Sequence, residues 1–129
     1  MKYLGIDFGT KRIGIAVSDE VGTIAFPRKT LPNDDQLIPQ LKKLIDEEKI
    51  SHIVVGDTRS HGGGENPVSA QADTFIESLE QATALRVERA FEAWSSIEAS
   101  RYAPKGKEHD DAAAAAIILQ RFLDMHAAT

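Results

Sequence analysis

Two mostly apolar runs, Lys2 to Phe8 and Ile13 to Ser18, stand with only Gly9-Thr10-Lys11-Arg12 between them. Runs so closely spaced can share a buried face only if the chain doubles back, so an antiparallel hairpin is predicted. A third strand over Thr23 to Pro27 continues the meander. Asn33-Asp34-Asp35 then offers capping groups for a helix whose Leu37, Leu41, Leu44 and Ile45 recur at helical spacing, with Pro39 tolerated in the first turn. After that helix, His52 to Gly56 is short and β-branched, which predicts a buried parallel strand in a βαβ unit.

The stretch Asp57 to Asn66 carries Gly62, Gly63 and Gly64 in succession and reads as a mobile loop bordering the substrate path, or equally as a plain solvent loop. Pro67 opens a second helix to Gln81, with Ala72, Phe75, Ile76 and Leu79 facing the core, and Leu85 to Phe91 forms a fifth strand. A short helix over Ser95 to Tyr102, a polar connection over Pro104 to His109 and a final helix from Asp110-Asp111 complete the order. Strands that first meander and then alternate with helices predict an α/β fold: a mixed five-stranded sheet, antiparallel through strands 1–3 and parallel in the remainder, flanked by helices. With 129 residues, 42% of them hydrophobic, residues 1–129 suit a single domain with one core.

The absence of cysteine excludes disulfides, thiolate metal sites and thiol nucleophiles, so any metal must rest on carboxylates, histidines or water. No apolar run reaches transmembrane length, and the opening MKYLGIDFGTKR places a carboxylate and glycines where a signal peptide needs apolar residues, so a cytoplasmic protein without a membrane partner is expected. The net charge of −5 opposes long-range attraction to nucleic acid. Local cations, Lys11-Arg12 and Arg28-Lys29 with Arg101, Lys105 and Lys107, offset this if they form a basic rim around an acidic centre. Arg59 and His61 in the glycine-rich loop are further candidate phosphate contacts.

Three carboxylates occupy positions that suit a site. Asp7 lies near the end of the first strand, Glu92 at a strand-to-helix junction, and Asp111 at the start of the last helix, where free N–H groups favour negative charge. Each has a purely structural alternative: a turn aspartate, a solvated loop glutamate and a helix cap, respectively. The run Ala112 to Ala116 is structural, since small side chains let a helix approach a sheet closely and bring its first turn beside the strand ends. If the three carboxylates converge, their repulsion requires a counterion. Oxygen ligands select Mg²⁺ or Mn²⁺, and a pair of such ions suits phosphodiester hydrolysis.

The blocks Gly5-Ile6-Asp7-Phe8-Gly9-Thr10-Lys11-Arg12-Ile13-Gly14, Val54-Val55-Gly56 and Asp111-Ala112 through Ile118-Leu119-Gln120 together resemble the YqgF/RuvX family over nearly the whole chain. The resemblance implies an RNase H-like fold and a nuclease acting on structured nucleic acid, either in 5′-end processing of precursor 16S rRNA or as a Holliday junction resolvase on branched DNA. It also implies Asp7, Glu92 and Asp111 as catalytic, metal-binding carboxylates. From the basic pairs and the glycine-rich loop, Lys11, Arg12, Arg59, His61 and Arg101 are the expected nucleic-acid contacts, in a monomer or weak homodimer. The chain departs from the family pattern at Phe91-Glu92-Ala93-Trp94, which keeps the glutamate without its usual flanking Asp and Arg. It departs again at Gly56-Asp57-Thr58-Arg59, where relatives carry an apolar residue and proline after the glycine.

Two other classes compete. Gly5 to Gly14 also resembles the first phosphate-binding turn of actin-like and sugar-kinase ATPases, but their nucleotide cleft needs two such domains and the chain has no duplicated block. A non-catalytic nucleic-acid-binding module is the third reading, because fold alone does not entail activity.

Overall fold

A computed structural model describes residues 1–9, 11–57, 67–91 and 111–127. The hairpin forms as the apolar runs require: β1 spans Tyr3–Phe8 and β2 spans Arg12–Ser18, antiparallel, with Asp7 opposite Gly14 and Gly5 opposite Ala16. β3 covers Ala25–Pro32 and pairs antiparallel with β2 through a register shift at Ile15/Ala16. It starts later and runs further than the sequence predicts. Pro27 and Pro32 are tolerated because β3 is the edge of the sheet, where a missing N–H leaves no neighbour unpaired.

The β2–β3 turn is closed by Asp19. Its carboxylate accepts hydrogen bonds from the Thr23 and Ile24 backbone N–H groups at 2.7 and 3.1 Å and from the Thr23 hydroxyl at 2.9 Å. Hydrogen bonding from the Ile24 and then the Thr23 backbone holds the Asp19 carboxyl below its ordinary pKa.

Helix α1 spans Leu37–Glu48 and buries Leu37, Leu41, Leu44 and Ile45, the face the spacing predicts. The expected side-chain cap is displaced. The residue before the helix is Gln36, which makes no capping hydrogen bond; Asp34 instead closes a preceding turn by accepting from the Gln36 and Leu37 N–H groups. Strand β4, His52–Asp57, pairs parallel with β1, and β5, Val87–Phe91, pairs parallel with β4. Between them α2 covers Pro67–Thr83, two residues past its expected end. α3 covers Asp111–Ala127. Among the described residues the sheet has the order β3-β2-β1-β4-β5, antiparallel through the first three strands of the chain and parallel thereafter, as expected.

Alternation along the strands divides the core in two. Leu4, Ile6 and Phe8 of β1, Ile13, Ile15 and Val17 of β2, and Ile53 and Val55 of β4 pack against Leu41 and Leu44 of α1 and Phe75, Ile76 and Leu79 of α2. Each large side chain buried there contributes roughly 1.5–3 kcal/mol. On the opposite face, Ala16 and Val54 meet Ala115, Ile118, Leu119, Phe122 and Leu123 of α3. No helix among the described residues is long and apolar enough to cross a membrane.

Candidate active site

The site grows from the face of the sheet that α3 covers. Asp7 is in register with Gly14, and paired residues of antiparallel strands project to the same side. A Cβ at Gly14 would lie 1.8 Å from the Asp111 backbone oxygen, so the first turn of α3 rests directly on the bare backbone of β2. Lower down, a Cβ at Gly5 would lie 2.7 Å from the Leu119 Cβ. The alanines of α3 and these two strand glycines act together, one from each side of the contact, to seat the helix close enough that its first residue shares a face with Asp7.

Asp7 is 7% exposed, one of two buried polar residues among the described ones, and sits near the end of the central strand. Burying a carboxylate is costly without partners, which points to a defined role for its neighbours. Asp111 is the first residue of α3, where the helix dipole favours its charge. One Asp111 oxygen lies 3.0 Å from Arg12 Nε, with the arginine side chain 54% exposed and the aspartate 17%. Arg12 precedes Gly14 by two residues on β2 and therefore projects to the same face, reaching past the gap the glycine leaves. Lys11 is exposed at the turn, and its carbonyl oxygen accepts from the Asn33 N–H at 2.9 Å. The Asn33 side-chain amide donates to the Gly9 carbonyl at 2.9 Å, tying the end of β3 to the turn that follows Asp7.

Asp7, Asp111 and Arg12 are thus brought to one face. Glu92, Arg59, His61 and Arg101 lie outside the described residues, as do most of the glycine-rich loop and the expected helix over 95–102. Among the described residues no three His, Asp or Glu side chains are grouped to hold a metal ion. The expected rim role of Arg28 is not what forms. Arg28 lies 3.1 Å from Glu48, which also takes Lys2 at 2.9 Å, at the end of β1 remote from Asp7. The Lys2 hydrogen bond is the main cause holding the Glu48 carboxyl below its ordinary pKa, with the charges of Lys2 and Arg28 adding to it against desolvation. Sequence reasoning missed Gly14 as a site residue. Its signal was present, since a glycine inside an apolar strand often marks close approach by another backbone.

A five-stranded mixed sheet in this order, with a buried carboxylate on the central strand and a second at the start of the helix crossing it, defines an RNase H-like domain. Its backbone is similar to that of Thermus thermophilus RuvC in complex with a Holliday junction substrate, with a TM-score of 0.65 and 11% identity over 98% of this chain and 96% of that one. The ROK hexokinase of Thermus thermophilus shares the fold more loosely, with a TM-score of 0.50 and 22% identity over 84% of this chain but only 41% of that one. The family model RuvX, described as Holliday junction resolvase, matches residues 1–125, and a relative from Oleidesulfovibrio alaskensis named as a pre-16S rRNA nuclease is 37% identical over 134 aligned residues, spanning 97% of this chain and 93% of its own. The chain belongs to the RuvX family, a family of nucleases.

Proposed function

We propose that this chain is a divalent-cation-dependent endonuclease that hydrolyses phosphodiester bonds of structured RNA, in 5′-end processing of precursor 16S rRNA. The observation that carries the reading is the placement of Asp7 and Asp111 on one face of the sheet, brought together over Gly14 in a chain of this family. Glu92, next in sequence after β5, is the third carboxylate of the proposed site.

The residues fit a hard cation. Their donors are carboxylate oxygens alone, and one of them already accommodates a positive charge in the form of the Arg12 guanidinium. Asp7, Asp111 and Glu92 would hold Mg²⁺ or Mn²⁺, which when bound supplies Lewis-acid polarisation of a phosphoryl oxygen and lowers the pKa of water. The protein's own part is geometric and electrostatic. The buried Asp7 fixes one anionic ligand in a rigid strand, and the α3 N-terminus places the second beside it. Exposed Lys11 and Arg12 offer positive charge to the backbone phosphates of a strand lying across the sheet edge, offsetting the overall negative charge locally.

A second reading, cleavage of four-way DNA junctions, is favoured by the family description and by the likeness to a resolvase seen with its junction. The ATPase reading needs a second domain, and the hexokinase likeness covers less than half of that enzyme.

The test is cleavage of a labelled precursor 16S rRNA fragment, single strands and a four-way DNA junction, with Mg²⁺, Mn²⁺ or chelator, by the natural protein and Asp7→Asn. Cleavage of the RNA that needs the cation and vanishes in Asp7→Asn is expected. Thermal unfolding of the variant without metal should be unshifted or raised, because a carboxylate cluster carries repulsion that folding must overcome. Full cleavage by a folded Asp7→Asn would remove Asp7 from the site. Binding without cleavage across the panel would establish the non-catalytic module instead.

A further inference from the structure

The Arg12–Asp111 pair carries an inference that deepens the nuclease reading and rests on it. Arg12 sits on β2 at the same parity as Gly14, so its side chain rises on the face of Asp7 and closes on the one Asp111 oxygen at 3.0 Å. The pair is asymmetric. Asp111 is held at the start of a helix seated on β2 by backbone contact and is mostly covered, whereas Arg12 is more than half exposed on a long flexible stem. If one partner moves, it is the arginine. A guanidinium and a divalent cation compete for the same carboxylate, and a displaced Arg12 would stand on the solvent side of the site, where a nucleic-acid phosphate would run.

We propose that Arg12 is an exchangeable counterion: it neutralises Asp111 while the site lacks a divalent cation, is released when the cation binds, and then pairs with a substrate phosphate. Exchange couples the two ligands. The cation frees the arginine for RNA, and RNA holds the arginine away from the cation's ligand, so each tightens binding of the other by the same factor. The device would lessen the repulsion between the carboxylates in the free protein and would make productive RNA binding depend on the cation.

Three measurements on the whole protein test this. Titration with Mn²⁺ alone, followed calorimetrically, should show Arg12→Gln binding about tenfold more tightly than the natural protein, the scale of removing one unit charge beside a part-solvated site. Arg12→Lys, which keeps the charge, should stay near the natural value and controls for folding. Binding of the precursor rRNA fragment with Ca²⁺ present should show Arg12→Gln lowering the slope of log affinity against log salt by about one. In NMR spectra the Arg12 Nε–H signal should shift on addition of Mg²⁺ in the natural protein and not in Asp111→Asn. An Arg12 signal unmoved by saturating Mg²⁺, or Mn²⁺ affinity unchanged in Arg12→Gln, would overturn the exchange while leaving the metal site standing. Absence of Mn²⁺ binding by both the natural protein and Arg12→Gln would sink the metal-site reading and the exchange together.

Discussion

The two faces of the sheet are built on opposite terms. The face under α1 and α2 is filled with large side chains, Leu4, Ile6, Phe8, Ile13, Ile15 and Val17, and it supplies most of the apolar burial. The face under α3 presents Gly5, Asp7, Gly14 and Ala16 from the same two strands and lets a backbone approach where side chains would otherwise stand. Volume surrendered on one face is what positions the carboxylates. On the proposed function, stability and chemistry are therefore separable, face by face.

Substitutions on each face should break this contrast in different ways. Leu41→Ala, in the α1 layer and fully buried, should cost about 2–5 kcal/mol in urea unfolding, while the folded protein keeps its cleavage rate. Loss of cleavage in proportion to stability would show that the faces are not independent. Gly14→Ala forces a Cβ into the Asp111 backbone and should cost about 1–3 kcal/mol, but it should reduce cleavage far beyond that loss, because α3 must lift from β2. A folded Gly14→Ala with full activity would mean that Asp111 need not sit where it does.

The smallest effect belongs to the remote end of the sheet. The Glu48 carboxyl is held below its ordinary pKa in the folded state, so it binds fewer protons folded than unfolded near that value. Its contribution is fully present above the unfolded value and is lost as pH falls through the folded one. Because the pair is partly solvated, the amount should be about 0.5 kcal/mol, read as a smaller loss of stability between pH 6 and pH 3 in Glu48→Gln than in the natural protein. Cleavage near neutral pH should be unaltered in that variant, which isolates this end of the sheet from the carboxylate end.

Much of the fold was legible because it rests on periodicity. The hairpin and the buried faces of α1 and α2 follow from which apolar residues share a side. β3 was misread at both ends because its prolines and its Arg28-Lys29 pair look like loop chemistry. Only tertiary placement at the sheet edge makes them acceptable in a strand. Asp7 and Asp111 stood out as candidates by position and family resemblance, and the fold brings both to one face, but the pairing of Arg12 with Asp111 joins residues far apart in sequence, and no local pattern encodes it. Arg28 shows the converse error. Its charge suggested a phosphate-facing rim, yet it falls at the register shift of β3 and pairs with Glu48.

The seating of α3 on β2 also has a temporal meaning. The two carboxylates belong to segments made early and late in synthesis, Asp7 in the first strand and Asp111 after the whole sheet has been translated. The sheet with α1 and α2 has a core of its own and can begin to organise as the chain emerges, since folding during synthesis proceeds from the N-terminal side. Until α3 leaves the exit tunnel and lies across Gly14, Asp7 has no Asp111 beside it. The pairing of the two carboxylates on one face is therefore the last step in building the described fold, made only when the final described helix docks on a sheet already in place.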